Sequence, residues 1–194
     1  MTVRSVAVEG YRNALPTVGA SALGGLVAGA ILSGMQAELA AVPGLLVVVP
    51  AFLAIRGSVY GSLGSRLSTG LHQGLVGPTL DGDGRGRLWR VVVGSLSVGV
   101  LSSLFAAGVA ALLLPTLGRP AASPAVFAGV ALVAALLAGA VLSAVVVAVV
   151  FLGFRRGVDP DDLVGPAVTT AGDLFGLASL VVAVRVVGWL ADLL

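Results

Sequence analysis

The sequence predicts an all-α, polytopic membrane protein, and three observations carry that prediction. Only 10% of the 194 residues are charged and 58% are hydrophobic, against roughly 25% charged in soluble domains, which leaves too few charges to build a surface in water. No charge interrupts the chain between Arg12 and Glu38, or between Arg90 and Arg119, and each run exceeds the ~20 apolar residues that cross a bilayer. These runs are apolar all round and rich in Ala, Leu, Val and Gly, whereas a β-barrel alternates apolar and polar residues in segments of about ten. Cysteine is absent, which excludes disulfides and thiolate metal sites. Lysine is absent too, and the arginines stand mostly near helix ends, so the basic balance speaks of membrane orientation and predicts no nucleic-acid partner.

Taken in order, the first span is expected at about Leu15 to Gly34. A polar leader from Met1 to Arg12, containing Glu9, precedes it, and the run is too long for the core of a cleaved signal. Ala20/Gly24 and Gly25/Gly29 are small-residue pairs at four-residue spacing, suited to close helix packing. Glu38 ends the span in a short loop, and Pro43 is placed to open the second helix.

That second segment, Pro43 to Gly74, has Pro50 inside its apolar run and Arg56 soon after, then Gly57, Gly61, Gly64 and Gly70 interleaved with Ser58, Ser62, Ser65, Ser68 and Thr69. Interior proline frees a carbonyl, and irregular backbone at membrane depth requires protein or a water-filled cavity to receive it. Two readings stand level: a polar half that lines a pathway, or a long tilted interfacial helix whose Arg56 snorkels to the headgroups. The loop from Leu75 to Leu88 reads as flexible and aqueous. Its Asp81-Gly82-Asp83 start fails as an EF-hand, because Arg85 takes a ligand position and the bidentate Glu is missing. A third span at about Leu88 to Leu114 and a fourth at about Val126 to Phe154 read as structural Ala/Val/Leu helices. Pro166 is placed to start a fifth that reaches Leu194.

Five spans put the termini on opposite sides and rule out an antiparallel repeat within the chain. Arg4, Arg12, Arg85, Arg87, Arg90, Arg155 and Arg156 fall on one side and Arg119 on the other, so the positive-inside rule predicts a cytoplasmic N-terminus and an outside C-terminus. The lone His72 has no nucleophile or acid arranged beside it, and enzyme activity is not expected.

The fifth helix carries the most informative residue. Counted from Pro166, Asp173 stands roughly 10 Å into the helix. Thr169, Asp173, Gly176 and Leu180 share a face, and Gly172/Gly176 form a small-residue pair. An ionisable group inside a span is costly and is a functional-site hypothesis by default; the bland reading is an acid paired with an arginine such as Arg56 or Arg66, or one close enough to the interface to be hydrated. A carboxylate among hydroxyls and carbonyls, with no His or Cys nearby, is a hard oxygen environment that suits Mg²⁺, which keeps several waters and needs one or two carboxylates. Two chains around a two-fold axis would bring their Asp173 copies face to face.

The strings VPAFLAIRGSVYGSLGSRLST (Val49 to Thr69) and GVDPDDLVGPAVTTAGDLFG (Gly157 to Gly176) resemble the two signature stretches of the MgtE and solute carrier family 41 magnesium transporters, in span order over nearly the whole chain. The resemblance implies a single five-helix pore domain over residues 1–194 in the cell (plasma) membrane, acting on a divalent cation. It would work as a homodimer, or paired with a paralogous half. It also implies Mg²⁺ as the transported and bound ion, held at Asp173, with main-chain carbonyls one turn earlier near Thr169. Thr170, Gly172 and the Gly57-Ser58 pair complete the expected site, Ser58 standing where the family carries Asn. The family's paired nucleotide-sensing modules at the N-terminal side are expected to be missing. A non-transporting subunit of a larger complex is the alternative of another class, and a transporter of another divalent cation or a cation-coupled exchanger the alternative within transport.

Overall fold

A computed structural model describes residues 3–75, 77 and 83–193. Six helices follow in order: α1 (Val3–Gly34), α2 (Gln36–Ala41), α3 (Leu45–His72), α4 (Asp83–Thr116), α5 (Pro124–Arg155) and α6 (Pro160–Asp192). Four of them, α3 to α6, are long and apolar enough to cross a membrane, and the apolar part of α1, Val18–Gly34, is shorter. The leader is continuous with the first span in a single helix. α2 was not expected, and Pro43 lies before the second span, whose N-cap is Gly44 at φ +88°. A side chain at Gly44 would also meet Leu114 and the Pro120 carbonyl, so the α2–α3 corner is built around glycine. The loop expected from Leu75 to Leu88 falls partly outside the described residues, Asp81 and Gly82 among them, and its second half is helical because α4 already begins at Asp83.

The largest correction concerns α6. It begins at Pro160, not Pro166, with Asp159 as N-cap accepting from the Asp161 amide at 3.0 Å and with Asp161 and Asp162 in the first turn. Asp at the N-cap, Pro at the first position and acids facing the positive helix end are mutually reinforcing start signals. Pro166 is therefore interior, and it deprives the Asp162 carbonyl of its usual amide. Asp173 moves correspondingly deeper, to about 20 Å from the helix start.

Buried side chains form two apolar clusters. One joins Phe52, Ala107, Phe127, Leu177 and Leu180 toward the Glu38 end; the other joins Tyr60, Leu67, Leu142, Val150 and Val164 toward the opposite end. α3 and α6 pack antiparallel, since Gly64 abuts Val164 while Leu53 and Arg56 abut Gly176. α4 and α5 carry more than bulk: Gly99 and Gly139 leave the notch that receives the Tyr60 ring. On α1, Gly24 lies directly against Thr170 of α6, whereas Gly25 and Gly29 face open space.

Candidate metal-ion site

α6 presents Asp162, Gly165, Thr169, Asp173, Gly176 and Leu180 at spacings of three and four, hence on one face. The first three are exposed and Asp173 is half-buried, whereas Gly176 and Leu180 are buried. The same face is thus open along one half of the helix and covered along the other, and Asp173 stands at the boundary. What covers it beyond Asp173 is α3, through Leu53 and Arg56.

The open half is a ladder of oxygens. It runs from the Asp162 carbonyl that Pro166 leaves free, past the Thr169 hydroxyl, to the Asp173 carboxylate. Thr169 donates to the Gly165 carbonyl at 2.9 Å, so its lone pairs remain available to a cation. Neither Arg56 nor Arg66 forms an ion pair with Asp173, which removes the paired-acid reading. Among the described residues no three His, Cys, Asp or Glu side chains cluster, so these side chains supply no ready-made cage and a bound cation here would depend on hydroxyls, carbonyls and water beside the carboxylate.

The antiparallel register brings Gly57 and Ser58 of α3, both exposed, to the level of Gly172. Gly57 flanks the α3–α6 contact, and Ser58 lies a further ~100° around the helix. Gly172 is buried toward the Arg56 Cβ, 4.0 Å from where its own Cβ would be. Thr170 is turned to α1 and packs on Gly24, away from the Asp173 stripe. Of the expected residues, the fold therefore places Thr169 on the stripe with Asp173, Gly172 behind it and Thr170 at a helix contact.

Arg56 does not snorkel. It is 2% exposed, at a position of the buried α3 repeat shared with Phe52, Leu63 and Leu67. Its Nη1 donates to the Phe52 carbonyl at 2.6 Å and its Nη2 to the Ala134 carbonyl at 3.3 Å. The guanidinium lies over the Phe52 ring, and Nε has no partner. The signal for this burial is legible in retrospect, since Arg56 falls four residues after Phe52 and seven before Leu63 on an otherwise apolar face. His72 is satisfied at its helix end, 2.9 Å from the Ser68 carbonyl and edge-on to Phe154.

Apolar helices of spanning length mark a multi-pass membrane protein, and the half-open polar face of α6 with Asp173 at its closed end is its candidate cation site. The MgtE family model, described as divalent cation transporter, matches residues 49–183, more than two thirds of the chain, and the chain belongs to that family. The matched region runs from the first turns of α3 into the last third of α6 and so contains the whole site. No curated protein matches the chain.

Proposed function

We propose that the protein carries Mg²⁺ across the plasma membrane through a pore formed where two copies meet on a two-fold axis, with Asp173 as the ion-facing carboxylate. The observation that carries this reading is the oxygen stripe of α6, open up to Asp173 and covered beyond it. Family membership supports a divalent cation as cargo. Hydroxyl, carbonyl and carboxylate oxygens suit a hard cation that retains part of its water shell, and a second Asp173 across the axis supplies the charge that one carboxylate lacks. Thr169 and the carbonyls of its turn act as the approach, with Gly57 and Ser58 on the facing helix. In this reading α1 is the first of five spans, and the arginines at the α3–α4 and α5–α6 ends favour a cytoplasmic side for those ends and the N-terminus.

The test is Mg²⁺ uptake into proteoliposomes by the purified protein and by Asp173→Ala, with oligomeric state read by chromatography. Wild-type protein is expected to move Mg²⁺, and Asp173→Ala to fall to background while remaining a dimer. Normal uptake by the variant would remove Asp173 from the site, and no uptake by either would favour a subunit that needs a larger partner.

A further inference from the structure

A second charged residue, Arg56, stands beside the proposed path. It is a buried cation with no carboxylate partner among the described residues; its Nη1 and Nη2 donate to the carbonyls of Phe52 and Ala134, and its Nε has no partner among them. Such a group is costly at membrane depth and marks function by default. Its side chain runs along α6 from Gly172 to Gly176, and a Cβ on Gly176 would stand 3.2 Å from its Cδ and 3.5 Å from its Nε. Asp173 and Gly176 are three residues apart, neighbours on one helix surface. The guanidinium therefore lies within about 10 Å of the Asp173 carboxylate, just beyond the closed end of the stripe.

We propose that Arg56 is a fixed positive charge that sets, by valence, how tightly the Asp173 site holds a cation. This rests on Asp173 being the ion site. A guanidinium keeps its proton across the physiological range, so its repulsion is always present, and it acts on an ion in proportion to the ion's charge. Paired carboxylates around a two-fold axis would otherwise hold a divalent ion strongly, while passage requires a site weak enough to leave. Arg56 offsets that attraction from behind the site without occupying it, because Phe52 and Ala134 hold it back. Gly176 is what lets the charge come this close.

The test is cation binding to the purified dimer by calorimetric titration with Mg²⁺ and by Na⁺ competition, on wild type, Arg56→Gln, Arg56→Lys and Asp173→Asn. Removing the charge in Arg56→Gln is expected to tighten Mg²⁺ about tenfold and Na⁺ only about threefold, the square-root relation that a purely electrostatic effect imposes. Arg56→Lys, which keeps the charge, is expected to stay within about threefold of wild type for both ions. If Arg56→Gln does not assemble, Arg56→Met, whose flexible chain fills the same groove, is read in its place. Unchanged Mg²⁺ affinity, or equal factors for both ions, would overturn the inference and leave Arg56 a packing residue. Should Asp173→Asn still bind Mg²⁺ as wild type does, the site assignment itself fails and the inference with it; loss of binding there alongside a flat Arg56→Gln sinks the inference alone.

Discussion

Arg56 of α3 lies in the groove that Gly176 of α6 leaves open, and an added Cβ would narrow that groove, standing 3.0 Å from Leu53 Cδ2 and 3.2 Å from Arg56 Cδ. Alanine there asks the two side chains to give by a few tenths of an ångström, whereas a larger side chain has nowhere to go. Gly176→Leu is expected to destabilise the protein by about 1 to 3 kcal/mol, the usual cost of overpacking, and Gly176→Ala by much less. Thermal unfolding in detergent checks both, and equal stability of Gly176→Leu and wild type would show that α3 and α6 do not meet here.

Tyr60 and Gly139 form a second contact of the same kind. A Cβ on Gly139 would collide with the Tyr60 hydroxyl and stand 2.5 Å from Leu96 Cδ1, with Gly99 forming the other wall. Gly139→Ala is expected to cost about 1 to 3 kcal/mol. Tyr60→Phe should recover part of that loss, and a double-mutant cycle on unfolding free energies reads the coupling. Additivity of the two changes would mean that the notch is not where the strain falls.

Pro166 lies inside the continuous helix α6, beside the oxygen stripe. Pro166→Ala returns an amide to the Asp162 carbonyl, and interior proline costs a helix about 3 kcal/mol. The variant is expected to be at least as stable as wild type and to transport several-fold more slowly, because the freed carbonyl is withdrawn from the path. Uptake at the wild-type rate in a stabilised variant would separate the Asp162 carbonyl from transport.

Glu38 of α2 accepts from Arg185 of α6 at 2.8 to 2.9 Å, with side chains 7% and 73% exposed respectively. A hydrogen bond from its own backbone, with help from the Arg185 guanidinium, holds the Glu38 carboxyl below its ordinary value of 4.5. Because folding lowers this value, the pair's contribution is complete above the unfolded value and is lost as pH falls through the folded one. Exposure of Arg185 keeps the effect small. The unfolding midpoint of wild type is expected to drop between pH 5 and pH 3 by more than that of Glu38→Gln, and parallel curves for the two would show that the pair contributes nothing.

Much of the candidate site is legible locally. Asp173 stands out because a carboxylate inside an apolar helix is costly wherever the helix packs, and Thr169 follows from helical spacing alone. The start of α6 was misread because Pro166 and Pro160 both sit where a proline may open a helix, and the choice between them lay in Asp159, Asp161 and Asp162. Thr170 was grouped with Thr169 because they are adjacent in sequence, but a step of one residue turns a helix by about 100° and sends Thr170 to Gly24 on α1.

What the sequence determined by itself was the class of protein, a multi-pass helical membrane protein. Apolar runs longer than a bilayer is thick can only be helices in lipid, since every backbone amide and carbonyl must be satisfied within the segment. The fate of Arg56 was decided only by tertiary structure. Its long side chain can reach the headgroups from an isolated helix, so burial depends on what neighbouring helices offer. Gly176 on α6 offers a groove, and Ala134 on α5, nearly eighty residues away, offers a carbonyl. These partners are far apart in sequence, and only packing the helices brings them round one guanidinium.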